Sequence, residues 1–181
     1  MDGFDAVILA GGAARRLGGV DKPGLRVGGR TMLEWVAEAV RGASAVVVVG
    51  PARPSPPARY VREDPPGAGP LPALRTGLAE VGSAWFALLA ADMPFLDSAA
   101  VAALRAAAAP GAGAVLVDAE GQPQWLAGVW RTAAVRTAVA DYAGSSLRGL
   151  LAPLEPARVA FAEAARDCDT PEELARARRD R

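Results

Sequence analysis

Histidine is absent from this chain of 181 residues, lysine occurs once and cysteine once. The missing histidine removes Ser-His-Asp triads, Cys-His pairs, imidazole-ligated metals and histidine phosphoryl carriers together. One cysteine, Cys168, leaves no internal disulfide and argues against a zinc site. Net charge is also missing, with twenty acidic and twenty basic residues. No global field therefore draws the chain to nucleic acid or to a membrane surface. No apolar run is long enough to span a bilayer. The opening Met1-Asp2-Gly3-Phe4-Asp5 has no basic flank of the export-signal kind, so the expected compartment is the cytoplasm. Any chemistry has to rest on carboxylates, arginines, backbone amides, a bound ion and the single lysine.

Half of the residues are apolar, enough to bury the core of one globular domain over residues 1–181. The composition is rich in alanine, arginine and proline, a bias that thins lysine in any case. The place of Lys22 is more telling than its rarity. It ends the stretch Ala6-Val7-Ile8-Leu9-Ala10-Gly11-Gly12-Ala13-Ala14-Arg15-Arg16-Leu17-Gly18-Gly19-Val20-Asp21-Lys22. An apolar run stops at a glycine pair, two arginines follow, then a second glycine pair and Asp-Lys.

Phe4 to Leu9, Ala45 to Val49 and Trp85 to Ala90 are continuous apolar runs that read as buried parallel strands. Tyr60 and Val61 end a further short strand, and Ala114 to Val117, Gln124 to Trp130 and Arg158 to Phe161 add three more. Helical spacing covers Thr31 to Val40 and Leu71 to Val81. An alanine-rich helix capped by Asp97 or Ser98 runs to Ala109. Two helices follow at 132–140 and 145–151. Thr170-Pro171-Glu172-Glu173 opens the last helix as a capping box. The proline-rich stretch 52–58 reads as a mobile surface connection. Strands alternating with helices predict an α/β fold: a single-domain, Rossmann-like three-layer sandwich with a mostly parallel sheet.

In such a sheet, ligands sit beyond the carboxyl ends of the strands. Three strands end in chemistry there. The first runs into the glycine loop, the third into Glu63-Asp64 and Gly67-Ala68-Gly69-Pro70-Leu71, the fourth into Asp92-Met93-Pro94. Glycines let backbone N–H groups approach phosphates. The loop is neither GxxxxGK[ST] nor GxGxxG, which disfavours a P-loop ATPase and a dinucleotide-binding Rossmann site. Arg16 and Lys22 can add cationic contacts to a triphosphate. Asp92 suits Mg²⁺ as a hard oxygen ligand, or serves as a turn aspartate. Asp64 either holds nucleotide or caps the following turn.

With these separations, the run from Leu9-Ala10-Gly11-Gly12 to Asp21-Lys22, Gly69-Pro70-Leu71 and Asp92-Met93-Pro94 resembles nucleotidyltransferases acting on sugar phosphates and pterins. Arg15 to Lys22 is similar to the molybdenum cofactor guanylyltransferases in particular, and the likeness extends over nearly the whole chain. The resemblance implies the fold type of nucleotide-diphospho-sugar transferases and an enzyme that joins GTP to a molybdopterin-type cofactor, releasing pyrophosphate. It implies that Leu9, Ala10, Gly11 and Gly12 wrap guanine and phosphates. Pro70 and Leu71 join them in holding nucleotide, as do Lys22, Asp64 and Asp92. Lys22, Arg16 and Asp92 would carry catalysis, with Mg²⁺ on Asp92. Gln124 would lie toward the pterin, and transient contact with molybdoenzymes or cofactor-synthesis proteins is expected.

Three positions depart from the family pattern. Gly50-Pro51 stands where an asparagine is usual, and Trp125 replaces a proline after Gln124. Asp167-Cys168-Asp169-Thr170-Pro171 stands for Asn-x-Asn-Thr-Pro, which makes Asp169 a candidate second metal ligand. The departures keep three alternatives open: a cytidylyl-transferring relative, a guanylyltransferase of deazaflavin-cofactor synthesis, and a nucleotide-binding module without catalysis.

Overall fold

The computed structural model describes residues 3–11, 21–161, 163–166, 168 and 170–180. Strand β1 (Asp5–Leu9) is buried along its whole length in the interior of a seven-stranded sheet. It pairs in parallel with β4 (Val46–Val49) on one side and β6 (Trp85–Ala90) on the other. Beyond β4 lies β5 (Arg59–Val61), also parallel. Beyond β6 come β8 (Pro123–Arg131), β7 (Gly113–Val117) and β9 (Ala157–Ala160), so the sheet order is β5-β4-β1-β6-β8-β7-β9. A two-residue pair, β2 (Arg26–Val27) and β3 (Arg30–Thr31), forms a separate hairpin that the apolar pattern does not announce.

The mostly parallel α/β reading is borne out, with one strand reversed. Strand β8 runs antiparallel to both β6 and β7. Its amino end, Pro123 to Leu126, therefore lies on the same edge as the carboxyl ends of β1, β4, β5 and β6. Apolar periodicity marks a strand but not its direction, since side chains alternate in the same way whichever way the chain runs.

Alternation of side chains builds a core on each face. Ala6 and Ile8 of β1, Val48, Ala87 and Leu89 pack on one face with helices α1 (Met32–Ala39) and α3 (Ser98–Ala108). Val7, Leu9, Val47, Val49, Phe86 and Leu88 pack on the other with α2 (Pro70–Ala79), α4 (Thr132–Asp141) and α5 (Leu147–Leu151). Three layers follow: helices, sheet, helices. A satellite cluster joins Val27 and Met32 to Leu174 and Ala177 of α6 (Pro171–Asp180), and Cys168 is buried in it as a small apolar side chain.

Side chains cap α1, α3 and α6, at Asp97 and Thr170 as expected. Thr31 and Glu34 exchange both bonds of a capping box at α1. Asp97 accepts from the Ala100 amide at α3, and Thr170 and Glu173 repeat the box at α6. No helix among the described residues is long and apolar enough to cross a membrane.

Candidate active site

The carboxyl edge of the sheet is where six of its seven strands end. After Leu9 it passes through Ala10 and Gly11, and Ala10 N–H still donates to the Val49 carbonyl at 2.9 Å. After Ala90 it turns through Ala91, whose N–H donates to the Leu9 carbonyl at 3.0 Å. These bonds hold the first turn of each loop against its neighbour. Gly50 fits the same seam because a Cβ there would come within 2.9 Å of the Ala10 carbonyl carbon and oxygen. An asparagine at this position would push the β1 loop aside, so the Gly50-Pro51 departure has a packing cause.

Lys22 opens a short 3-10 turn, Lys22–Gly24, and is only 8% exposed. Its Nζ makes a short charge-assisted bond to Asp92 Oδ2. The preceding residue, Asp21, is held by both terminal nitrogens of Arg53 in a bidentate fork. Hydrogen bonding from Arg53 lowers the Asp21 pKa, and Asp21 in turn raises that of Arg53. The proline-rich stretch that carries Arg53 is thus no loose connection. Ser55 Oγ donates to Glu34 Oε1 at 2.6 Å, and Tyr60 donates its hydroxyl to the Pro56 carbonyl at 2.8 Å. Three side-chain anchors tie this loop down and fix the turn that presents Lys22.

Helix α2 begins at the same edge. Gly69 is its N-cap at φ 108°, a left-handed region that favours glycine, and Pro70 takes the first helical position. The amino end of α2 therefore faces the loops of β1 and β6, with its partial positive charge toward them.

Two clefts meet here. The first, about 340 Å³, has apolar walls from Leu9, Pro70, Ala73 and Leu126, and polar groups from Lys22, Asp92 and Glu63. The second, about 430 Å³, is lined by Met93, Gln124, Trp125, Leu147 and Ala165. Ala90, Asp92 and Leu126 line both, so the Asp92 carboxylate stands at the junction. The reversal of β8 supplies the shared wall at Leu126. In the second cleft Gln124 is aimed by Asp118, whose Oδ2 accepts from Gln124 Nε2 at 2.8 Å.

The structure brings Leu9, Gly11, Lys22, Pro70 and Asp92 onto the first cleft and Gln124 onto the second. Ala10 packs into the core beneath, and Leu71 is buried and lines a neighbouring groove. Gly12, Arg16 and Asp169 lie outside the described residues. Asp64 is exposed and borders that same neighbouring groove rather than the first cleft. The carboxylate that does enter the first cleft is Glu63, 5% exposed. The sequence places Glu63 at a strand end and assigns it no role. Val61 at the end of β5 packs against the α2 side of the sheet; beyond it the chain leaves the strand, with Glu63 buried and Asp64 exposed. Arg53 leaves no local signal, since its partner is 32 positions away.

Comparison with known proteins adds a family. Residues 6–159 match the family described as the MobA-like NTP transferase domain. A protein of Opitutus terrae named probable molybdenum cofactor guanylyltransferase is 38% identical over 140 residues, 72% of this chain and 68% of that protein. The molybdenum cofactor guanylyltransferase of Acidiphilium cryptum is also 38% identical over 140 residues, 71% and 67% of the two chains. Among solved structures, the molybdopterin-guanine dinucleotide biosynthesis protein A of Archaeoglobus fulgidus superposes with a TM-score of 0.77. It covers 98% of both chains at 18% identity, a likeness of fold.

Proposed function

The chain belongs to the MobA-like NTP transferase family, and we propose from that premise that it transfers the guanylyl group of GTP to the phosphate of a molybdopterin-type molybdenum cofactor. The observation that carries the reading is the pair of clefts joined at Asp92, with the chain's single lysine bonded to that carboxylate. A nucleotide in the first cleft and a phosphorylated acceptor in the second would meet at this junction.

The acceptor phosphate oxygen attacks the α-phosphorus. The bond from that phosphorus to the α,β-bridging oxygen breaks, and pyrophosphate leaves with the electron pair. An ionised phosphate needs no proton removed, which suits a chain without histidine. Positioning and charge neutralisation do the work. Lys22 is a compact donor that can turn from Asp92 to a phosphate oxygen as negative charge moves to the leaving group. Arg16 is assigned a second cationic contact there. The backbone around Gly11 and the amino end of α2 give the phosphates fixed partial positive charge.

Mg²⁺ fits this donor set. It is commonly held by one or two carboxylates together with substrate phosphates and waters, and Asp92 offers a hard oxygen where those phosphates would lie. When bound it would neutralise charge on the transferring phosphate. Asp169 is assigned as a second ligand, Leu9 and Gly11 as nucleotide contacts and Gln124 as an acceptor contact. The enzyme would work in the cytoplasm, handing its product to cofactor-synthesis proteins or molybdoenzymes in transient contact. Pyrophosphate release in Mg²⁺ tests the reading. It should require both GTP and the pterin phosphate, and faster release with CTP would replace it by cytidylyl transfer.

A further inference from the structure

Glu63 poses a question that phosphate transfer does not answer. A carboxylate next to a triphosphate site repels the phosphates, yet Glu63 is 95% buried in the wall of the first cleft, with 5% of its surface exposed. Its Oε1 accepts from the Gly67 amide at 2.8 Å. Its Oε2 is buried and has no hydrogen-bond partner among the described residues. A buried acceptor of this kind is costly unless something supplies a donor.

We infer that Glu63 reads the base, its Oε2 accepting from the 2-amino group of guanine. The inference rests on the guanylyl reading above. Three observations lead to it. First, Lys22 and Asp92 occupy the phosphate end of the cleft, so a nucleotide bound there places its base away from them, toward the remaining wall. Second, that wall is apolar apart from Glu63: Leu9, Pro70 and Ala73 can enclose a planar ring. Third, an ionised carboxylate only accepts. Guanine carries two adjacent donors on one edge, N1–H and the 2-amino group, matched to the two oxygens of a carboxylate. Oε1 keeps a lone pair after its one bond from Gly67. Hypoxanthine retains N1–H and lacks the 2-amino group, so it isolates the contact.

Glu63→Gln separates this role from a structural one. The amide oxygen can keep the Gly67 bond, while its NH₂ turns a donor toward a donor. Calorimetric titration in Mg²⁺ would compare GTP, ITP, CTP and pyrophosphate, the last as a probe without a base. Wild type should bind GTP roughly ten- to hundredfold more tightly than ITP, the span of one hydrogen bond to a charged acceptor. Glu63→Gln should bring GTP and ITP within about threefold of each other and leave pyrophosphate binding unchanged. Equal wild-type affinities for GTP and ITP would overturn the inference, as would undiminished discrimination in the variant. Either result with GTP still ahead of CTP leaves the guanylyl reading in place. CTP ahead of GTP in wild type overturns that reading and this inference with it. Should the variant lose pyrophosphate binding, its fold has changed, and the wild-type ratio of GTP to ITP decides.

Discussion

Two buried carboxylates sit at opposite ends of the same sheet. Asp5 starts β1 and is 3% exposed; Glu63 follows β5 and is 5% exposed. Asp5 is saturated: Oδ2 accepts from the Gly82 and Ser83 amides at 2.8 and 2.9 Å, and Oδ1 from the Ser83 hydroxyl at 2.8 Å. The Ser83 carbonyl in turn accepts from Thr132 Oγ1 at 2.7 Å. Every oxygen there works to close the turn before β6. Glu63 lines a cleft with one bonded oxygen and one buried oxygen that has no partner among the described residues. Equal burial thus carries opposite meanings. A saturated carboxylate holds the chain together, and an unsaturated one beside a cleft leaves a valence for something that is not the chain.

The contrast gives an order of effects. The largest falls on the carboxyl edge, in activity. Lys22→Ala should lower kcat/KM by about 10²–10³, some 3–4 kcal/mol by analogy with a single transition-state donor. Its melting temperature should stay near wild type, because Asp92 faces an open junction where water can replace the ammonium. Wild-type turnover in the steady state would remove Lys22 from the mechanism.

Asp5→Ala should do the converse. It strands two backbone donors and a hydroxyl and should cost on the order of 3 kcal/mol of stability, seen in denaturant unfolding, while GTP affinity of the folded fraction is retained. A loss of affinity as large as the loss of stability would mean that the two edges are coupled.

Arg53→Ala lies between the two, a change of support behind the cleft. Freeing Asp21 should let the Lys22 turn drift and reduce kcat/KM roughly tenfold. The Asp21 carboxyl is held below its ordinary 3.8 by the Arg53 hydrogen bond. Its contribution is therefore complete above that value and lost as pH falls through the lower folded value. The stability difference between wild type and Arg53→Ala should persist from neutral pH down to the ordinary carboxylate range and shrink as pH falls further below it, read by thermal unfolding across pH. A difference that persists at the acid end would assign Arg53 a packing role instead.

The smallest effect expected is on the stability of Glu63→Gln, within about 0.5 kcal/mol of wild type, since the Gly67 bond survives.

Much of the fold is legible in the sequence. Runs such as Val46–Val49 and Trp85–Ala90 have few alternatives to a buried strand, and Thr31, Asp97 and Thr170 carry their capping chemistry on their faces. The glycine loop, Lys22 and Asp92 stood out because parallel strands send their carboxyl ends to one edge. What stayed hidden depended on distance or direction. The reversal of β8 leaves no trace in periodicity. The hairpin of Arg26–Val27 with Arg30–Thr31 is too short to have a period. The Arg53–Asp21 fork joins a loop read as mobile to a turn read as binding, and nothing local pairs them. Glu63 and Asp64 are adjacent carboxylates just past the end of β5, and nothing in the sequence separates the buried one from the exposed one.

The comparison itself is tested most directly by measuring unfolding free energy and GTP affinity side by side on Asp5→Ala and Glu63→Gln. Asp5→Ala should lose stability and keep affinity, and Glu63→Gln should keep stability and lose at least tenfold in affinity, about 1.4 kcal/mol. If both variants instead lose stability and neither loses affinity once corrected for folding, Glu63 is a second structural carboxylate and the carboxyl edge does not read its ligand through it.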